Sequence, residues 1–195
     1  HSAYLYYKLA AERDNPDGIY GLAKCYSLGR GVEIDEVKGL ELYELSAAKG
    51  SAVGILRKIK KSDIFEDTHS WIEPLREAFE KGEKKNDPNV LRLIALDYMG
   101  GCLVNELDEE KGIEYLNKAI ENGDYASIRE LGKCYCEGIG VNINYPLAYK
   151  YFQDAIVKGV ASAYHCLGCM YRKGNKGIDK DLHESYKHYL KAAEK

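Results

Sequence analysis

Leu131-Gly-Lys-Cys-Tyr135-Cys-Glu-Gly138-Ile-Gly-Val141 is the stretch on which the fold turns. The same string returns as Leu22-Ala-Lys-Cys-Tyr26-Ser-Leu-Gly29-Arg-Gly-Val32 and as Leu167-Gly-Cys-Met-Tyr171-Arg-Lys-Gly174. A weaker copy runs Ile94-Ala-Leu-Asp-Tyr98-Met-Gly-Gly101. Ile94 to Leu131 is 37 residues, Leu131 to Leu167 is 36, and Leu22 to Ile94 is 72, twice the period. A second landmark follows each copy: Ser46-Ala-Ala-Lys-Gly50, Ala119-Ile-Glu-Asn-Gly123, Ala155-Ile-Val-Lys-Gly159 and Lys191-Ala-Ala-Glu-Lys195. Self-similarity at such a period is the signature of a repeat architecture.

Each unit reads as two helices. Ile128, Leu131, Cys134 and Tyr135 make one apolar stripe at helical spacing. The stripe ends at Gly138-Ile-Gly140, where both glycines read as a left-handed helix exit. Leu147, Tyr151, Phe152 and Ala155 make the second stripe, closed by Gly159, with Pro146 in its first turn. Second helices are expected at 36–49, 108–122, 144–158 and 182–194. Small residues such as Ala23, Gly132 and Gly168 fall where two helices should cross closely.

The units are a half unit at 1–14, full units at 17–50, 87–123, 124–159 and 160–195, and a degenerate one at 51–86. In the degenerate unit, Leu56 and Ile59 give a short first helix. Ser62-Asp-Ile-Phe-Glu-Asp-Thr68 replaces the glycine turn. Trp71, Ile72, Leu75, Ala78 and Phe79 lead a second helix to Gly82, with Pro74 near its start. The chain opens on the second helix of a unit and stops where the pattern calls for one more glycine, so a segment of a longer array is expected.

The pattern Leu-Gly-x-x-Tyr-x-x-Gly-x-Gly-Val, then Tyr/Phe-x-x-Ala-Ala/Ile-x-x-Gly, resembles the Sel1-like repeat family. The resemblance covers nearly the whole chain. It implies an all-α fold: a right-handed α/α superhelix, or solenoid, of tandem helix-turn-helix repeats of about 36 residues related to tetratricopeptide repeats. It also implies a scaffold or adaptor for other proteins rather than an enzyme, with no cofactor. The alternative is a regulatory or targeting segment of a larger multidomain enzyme or signalling protein. Departures are the Ser, Ile and Tyr residues of the first helices, and Asp97 in the slot of Cys25, Cys134 and Met170.

Composition narrows the partners. Among 195 residues, 28 Lys plus Arg stand against 31 Asp plus Glu, a net charge of −3. That gives no basis for broad nucleic-acid binding. No apolar run is long enough for a membrane span. The surplus of Gly (19) and Tyr (17) with only 4 Pro fits repeated helix ends and repeated aromatic slots. One branch of the family, the cysteine-rich Helicobacter proteins, staples the two helices of each repeat with a disulfide. The expected second helices here hold no Cys, which points to reduced thiols and an intracellular, cytoplasmic location.

Three local patterns invite chemistry. Ser46-Ala-Ala-Lys49 matches a Ser-x-x-Lys motif but lacks its companions and is the repeat's own ending. His183 and His188 are five residues apart, so they do not share a helix face as a zinc pair would. Cys134 sits on the buried stripe while Cys136 is turned about 200° away, which argues against a four-thiolate site with Cys166 and Cys169. Cys136, Cys169 and His165 remain a set that could meet across adjacent first helices.

In tetratricopeptide geometry the first helices line a concave face. Its outward positions include Asp17, Tyr20, Lys24, Arg92, Leu96, Arg129, Lys133, His165, Cys169 and Arg172. Five are Lys or Arg, and Asp17 is the lone carboxylate. The expectation is a groove for a protein or peptide partner bearing an acidic segment.

Overall fold

The computed structural model describes residues 2–61, 65–101, 103–174 and 177–194, with only the backbone for 2, 58–61, 65–71 and 101. The chain divides into two compact units, residues 1–85 and 86–195.

In the first unit, α1 (Ser2–Glu12) packs on α2 (Pro16–Leu28), and α2 forms a hairpin with α3 (Glu36–Ala48). α4 (Ala52–Lys61) packs on α3, and α5 (Phe65–Lys84) on α4. Ile19, Ala23, Cys25, Tyr43, Ala47, Ile55, Leu75 and Phe79 are buried there. The degenerate second helix begins at Phe65, well before Trp71, so Pro74 is interior rather than near the start. Its missing N–H therefore removes one bond of the helix ladder. Residues 62–64 of the replaced turn lie outside the described residues, and Phe65–Thr68 are already helical.

The second unit holds α6 (Pro88–Leu96), a π-turn (Asp97–Gly101), α7 (Glu109–Glu121), α8 (Ala126–Glu137), α9 (Tyr145–Val157), α10 (Ser162–Lys173) and α11 (Leu182–Ala193). Hairpins α6–α7, α8–α9 and α10–α11 each pack on the next. Ile128, Ala148, Phe152, Ala155, Ala163, Leu167 and Met170 form one buried cluster. The second helices end within a residue or two of their expected bounds.

The start of each second helix is built the same way. Asp35, Asp108, Asn144 and Asp181 cap α3, α7, α9 and α11 through their side-chain oxygens. Their own backbone N–H groups close back on the carbonyls of Tyr26, Tyr98, Tyr135 and Tyr171, at 3.0, 2.9, 2.8 and 2.9 Å. One residue thus stops the loop and starts the helix.

The motif tyrosines Tyr26, Tyr98, Tyr135 and Tyr171 are half-buried. Tyr98 stacks on Tyr115 and Tyr135 on Tyr151, with centroids 5.6 and 5.5 Å apart; Tyr171 stacks on His188 at 5.5 Å. Hydroxyls meet across repeats: Tyr4 with Tyr26 at 3.4 Å and Tyr149 with Tyr171 at 3.1 Å. Lys38 and Lys111 lie over the rings of Tyr26 and Tyr98.

Close helix crossing needs the small residues. A Cβ on Gly132 would stand 2.7 Å from the buried ring of Phe152, and one on Gly168 2.7 Å from Tyr189. The left-handed turn after each second helix falls on Asp14, Gly50, Asn86, Gly123 and Gly159, with φ of 61°, 83°, 51°, 95° and 86°. Gly82 is not that stop: α5 runs past it, and Asn86 takes the positive φ. Asp and Asn are the L-residues that tolerate this region best, at a cost of about 1 kcal/mol. Asn86→Gly is therefore expected to raise stability by about 0.5 kcal/mol in thermal unfolding, after the entropy of glycine is subtracted. Asp14→Gly is expected to be neutral, because Asp14 also holds Lys49 at 2.7 Å in an exposed ion pair.

Candidate functional site

The outward positions of the first helices are presented unequally. Lys24, His165 and Arg172 are exposed, while Tyr20, Leu96, Arg129, Lys133 and Cys169 are half-buried. In the first unit Tyr20 leans on Tyr43, with ring centroids 5.2 Å apart.

In residues 86–195 most of the cations are engaged. Arg92 Nε donates to Asp124 Oδ2 at 2.8 Å, and Asp124 also accepts the Ser127 hydroxyl at 2.6 Å. That pair is largely out of water, so Arg92 serves to fasten α6 to the start of α8. Arg129 and Lys133 both pair with Glu130, a buried carboxylate one helical step beneath them, with Lys133 Nζ 3.2 Å away. Asp124 and Glu130 lie outside the outward positions of the first helices, so a count of outward charges does not include them. Glu130 occupies the slot of Gly21, Leu93 and Cys166, where nothing in the repeat forecasts a charge. Among the described residues, Arg172 and Lys173 have no carboxylate within ion-pair distance.

α8 and α10 enclose a cavity of about 390 Å³ with α9 as its floor. Lys133, Cys136 and Glu137 line it from α8, Tyr145 and Phe152 from α9, and His165, Cys166, Cys169, Met170 and Lys173 from α10. Cys136 on α8 and Cys169 and His165 on α10 all line this cavity. Tyr189 donates its hydroxyl to Cys169 Sγ at 3.3 Å, and His165 Nδ1 lies 3.8 Å from the same sulfur. Burial pushes the Cys136 thiol up to about 11 and Cys134 up to about 12, and it raises Cys166 as well. These groups therefore stay protonated at neutral pH, while a nucleophile or metal ligand must be thiolate. Among the described residues, no three His, Cys, Asp or Glu side chains converge closely enough to hold a metal ion. Cys25, Cys134, Cys136, Cys166 and Cys169 are free thiols, and Cys102 lies outside the described residues.

The other two patterns have structural roles. Ser46 Oγ donates to the Pro16 carbonyl at 2.9 Å, whereas Lys49 turns to Asp14, so the two do not face one site. His183 is exposed at the start of α11, while His188 is half-buried under Tyr171, with its Nδ1 buried and unpaired.

His188 fills the slot that Tyr115 and Tyr151 fill in other repeats. Desolvation and then Lys191 hold its protonation below the ordinary 6.5, against the pull of Glu184, with Lys187 adding a smaller push. A depressed folded value means that protonation favours the unfolded chain. Stability is expected to be full above pH 6.5 and to fall as pH drops below that value. The denaturation midpoint of His188→Tyr should lose the His188 share of this dependence between pH 7.5 and 5.

Sel1 repeat matches fall on residues 1–15, 16–51, 97–124, 126–156 and 161–195. The chain belongs to the Sel1 repeat family. The fold is the all-α helix-hairpin repeat of the α/α solenoid class, and Sel1 repeats are in general protein–protein interaction modules. Residues 52–96 carry no match, a span that includes the first ten residues of the unit expected at 87–123. Two curated relatives are similar. Chitin synthase regulatory factor 3 of Schizosaccharomyces pombe is 25% identical over 98% of this chain and 17% of its own length. DAP3-binding cell death enhancer 1 of Mus musculus is 30% identical over 81% of this chain and 31% of its own length. The chain thus spans less than a third of either relative.

Solved Sel1 proteins share the fold. One from Oxalobacter formigenes superposes with a TM-score of 0.56 at 20% identity, covering 97% of this chain and 75% of that one. One from Klebsiella pneumoniae gives 0.57 at 18% identity, covering 96% and 90%. No helix among the described residues is long and apolar enough to cross a membrane.

Proposed function

We propose that this chain is a non-enzymatic interaction scaffold that receives a segment of a partner protein on its first-helix face. The contact residues in this reading are, for the first unit by itself, Tyr20 and Lys24 on α2 and, for residues 86–195 by themselves, Arg92, Leu96, Arg129, Lys133, His165, Cys169 and Arg172. The observation that supports it most is the opening between α8 and α10, where two consecutive first helices present side chains to one accessible space. The partner segment is acidic in this reading. Arg92, Arg129 and Lys133 are already engaged by Asp124 and Glu130, so in residues 86–195 the attraction rests chiefly on Arg172 and Lys173.

The test uses charge reversal at a site that is not part of an internal pair. Arg172→Glu should weaken capture of acidic peptides at least tenfold, while Lys150→Glu, exposed on the second helix α9, should leave it unchanged. The reverse outcome would place the contact elsewhere. Reversing Arg129 and Lys133 together would strand three carboxylates around Glu130, so it would report folding rather than binding.

A second reading, a regulatory segment of a larger protein, is favoured by the relatives. One is named as a regulatory factor and the other as a DAP3-binding protein, and each is several times longer than this chain. The two readings are compatible if the segment regulates by holding a partner.

A further inference from the structure

Three cysteines, Cys136, Cys166 and Cys169, make room in the cavity between α8 and α10. Cys169 stands where the neighbouring repeats have Leu96 and Lys133, and Cys136 stands where one has Met99. Cys166 likewise replaces Leu93 and Glu130. Relative to these counterparts each exchange removes side-chain volume, at Cys136 from the α8 wall and at Cys166 and Cys169 from the α10 wall, while the first unit carries the smaller Ser27 and Gly21 at two of the slots. The result, about 390 Å³, falls in the lower range of ligand-sized pockets, which run from about 300 to 1,000 Å³.

The lining is layered. Phe152 of the floor and Cys166 and Met170 of the α10 wall form one apolar, sulfur-rich part of the lining. Lys133 and Lys173 stand on α8 and α10, against one carboxylate, Glu137. Lys133 is shared with Glu130, but Lys173 has no such partner among the described residues. His165 adds an imidazole from α10, its ring 5.3 Å from Tyr189. This combination suits a ligand with an apolar body and a negatively charged flank. A positively charged one would place its charge beside two lysines.

We propose that this cavity is the anchoring subsite for a peptide segment in which an aliphatic side chain stands next to a glutamate or aspartate. The aliphatic group enters against Phe152, Cys166 and Met170, and the carboxylate pairs with Lys173 at the mouth. This rests on the interaction-face reading above and sharpens it to one pocket. A side chain seated this way is desolvated and flanked by charge, the arrangement in which one residue carries much of a binding energy.

The repeats themselves supply the variants that test it. Cys136→Met with Cys169→Leu installs the residues that unit 87–123 carries at the same slots, Met99 and Leu96, and fills the pocket with side chains the fold already accommodates. Peptides are selected from a random display library on the full chain, and their affinities are measured for the wild type, the filled variant, Lys173→Glu and Arg172→Glu. Thermal unfolding of each variant confirms that it is folded. Should the filled variant unfold, Cys169→Leu alone takes its place.

The selected peptides should be enriched in aliphatic–acidic pairs. They should bind the filled variant and Lys173→Glu at least tenfold more weakly than the wild type. Bound peptide should also slow N-ethylmaleimide labelling of Cys169, and leave the rate at Cys25 of the other unit unchanged. Peptides without acidic enrichment, or with equal affinity for the filled variant, overturn the pocket. Peptides that ignore the filled variant but lose Arg172→Glu overturn it while leaving the wider face standing. Peptides indifferent to all three variants remove both.

Discussion

Replacing Asp97 with cysteine, the residue found at that slot in two other repeats, is expected to destabilise the protein by about 3–4 kcal/mol. Repeat logic alone says the opposite, since Cys25, Cys134 and Met170 are apolar and buried in the same slot. Asp97 is buried too, but its carboxylate is fully used. It accepts from the backbone N–H groups of Leu103, Val104 and Asn105 at 2.8, 3.2 and 2.8 Å, and from the Asn105 side-chain amide at 3.1 Å. These donors belong to the connection between the π-turn and α7, which lacks the Gly-x-Gly-Val string of its neighbours. Removing the carboxylate leaves several half-buried N–H groups without a partner, and each such loss costs about 1–3 kcal/mol, not fully additively. Asp97→Asn keeps one acceptor oxygen but turns an NH₂ toward donors, so it should fall between the wild type and Asp97→Cys. Urea denaturation followed by far-UV circular dichroism measures the series. An Asp97→Cys protein as stable as the wild type would show that the loop holds itself.

How much of this could be read from the sequence depends on whether a residue's role repeats. The helix hairpins, their glycine stops and the close approach at Gly132 and Gly168 were legible because the same physical demand recurs every 36 or so residues. The tyrosine slot was legible as a position but not as a half-buried stacked ring, because stacking depends on the partner supplied by the second helix. The degenerate unit was legible as a gap in the pattern, yet the start of α5 at Phe65 was not, since Pro74 suggested a first turn further along. Asp97 was flagged as out of place, but its loop donors are six to eight residues away with no motif of their own.

The candidate face was the least legible part. Lys and Arg at outward positions read as a basic surface, and the charges that neutralise them lie one layer down. Glu130 is adjacent to Arg129 in sequence, but on a helix it belongs to the inner side. Asp124 reaches Arg92 from 32 residues away. The pocket was foreshadowed only by the three residues Cys136, Cys169 and His165. Its size comes from which side chains are small relative to their repeat counterparts, a comparison of volume rather than of chemistry.

The two glycines of Gly138-Ile-Gly140 separate most clearly under substitution, and Gly140→Ala is expected to cost about 3 kcal/mol against about 1 kcal/mol for Gly138→Ala. Both have positive φ, 78° and 65°, so both pay the left-handed penalty of an L-residue. They differ in what surrounds them. Gly138 is the helix stop: its N–H bonds the Cys134 carbonyl at 2.8 Å, and an added Cβ would press on the exposed side chain of Ile143, at 3.0 Å, with the Val141 carbonyl at an ordinary 3.6 Å. That side chain can move. Gly140 is not a helix stop but a junction between repeats. A Cβ there would lie 2.5 Å from the backbone carbonyl oxygen of Glu109, at the first turn of α7, and a carbonyl held in a helix cannot give way. The clash would also pull the Gly140 N–H from Glu109 Oε2, which now accepts it at 2.9 Å, a charge-assisted bond worth about 1.5–3 kcal/mol. Glu109→Gln removes the charge and keeps the space, so it should cost less than half as much as Gly140→Ala in chemical denaturation. If the two glycine variants lose the same stability, the second glycine is only another helix exit, and the α7–α8 junction is held by its apolar packing alone.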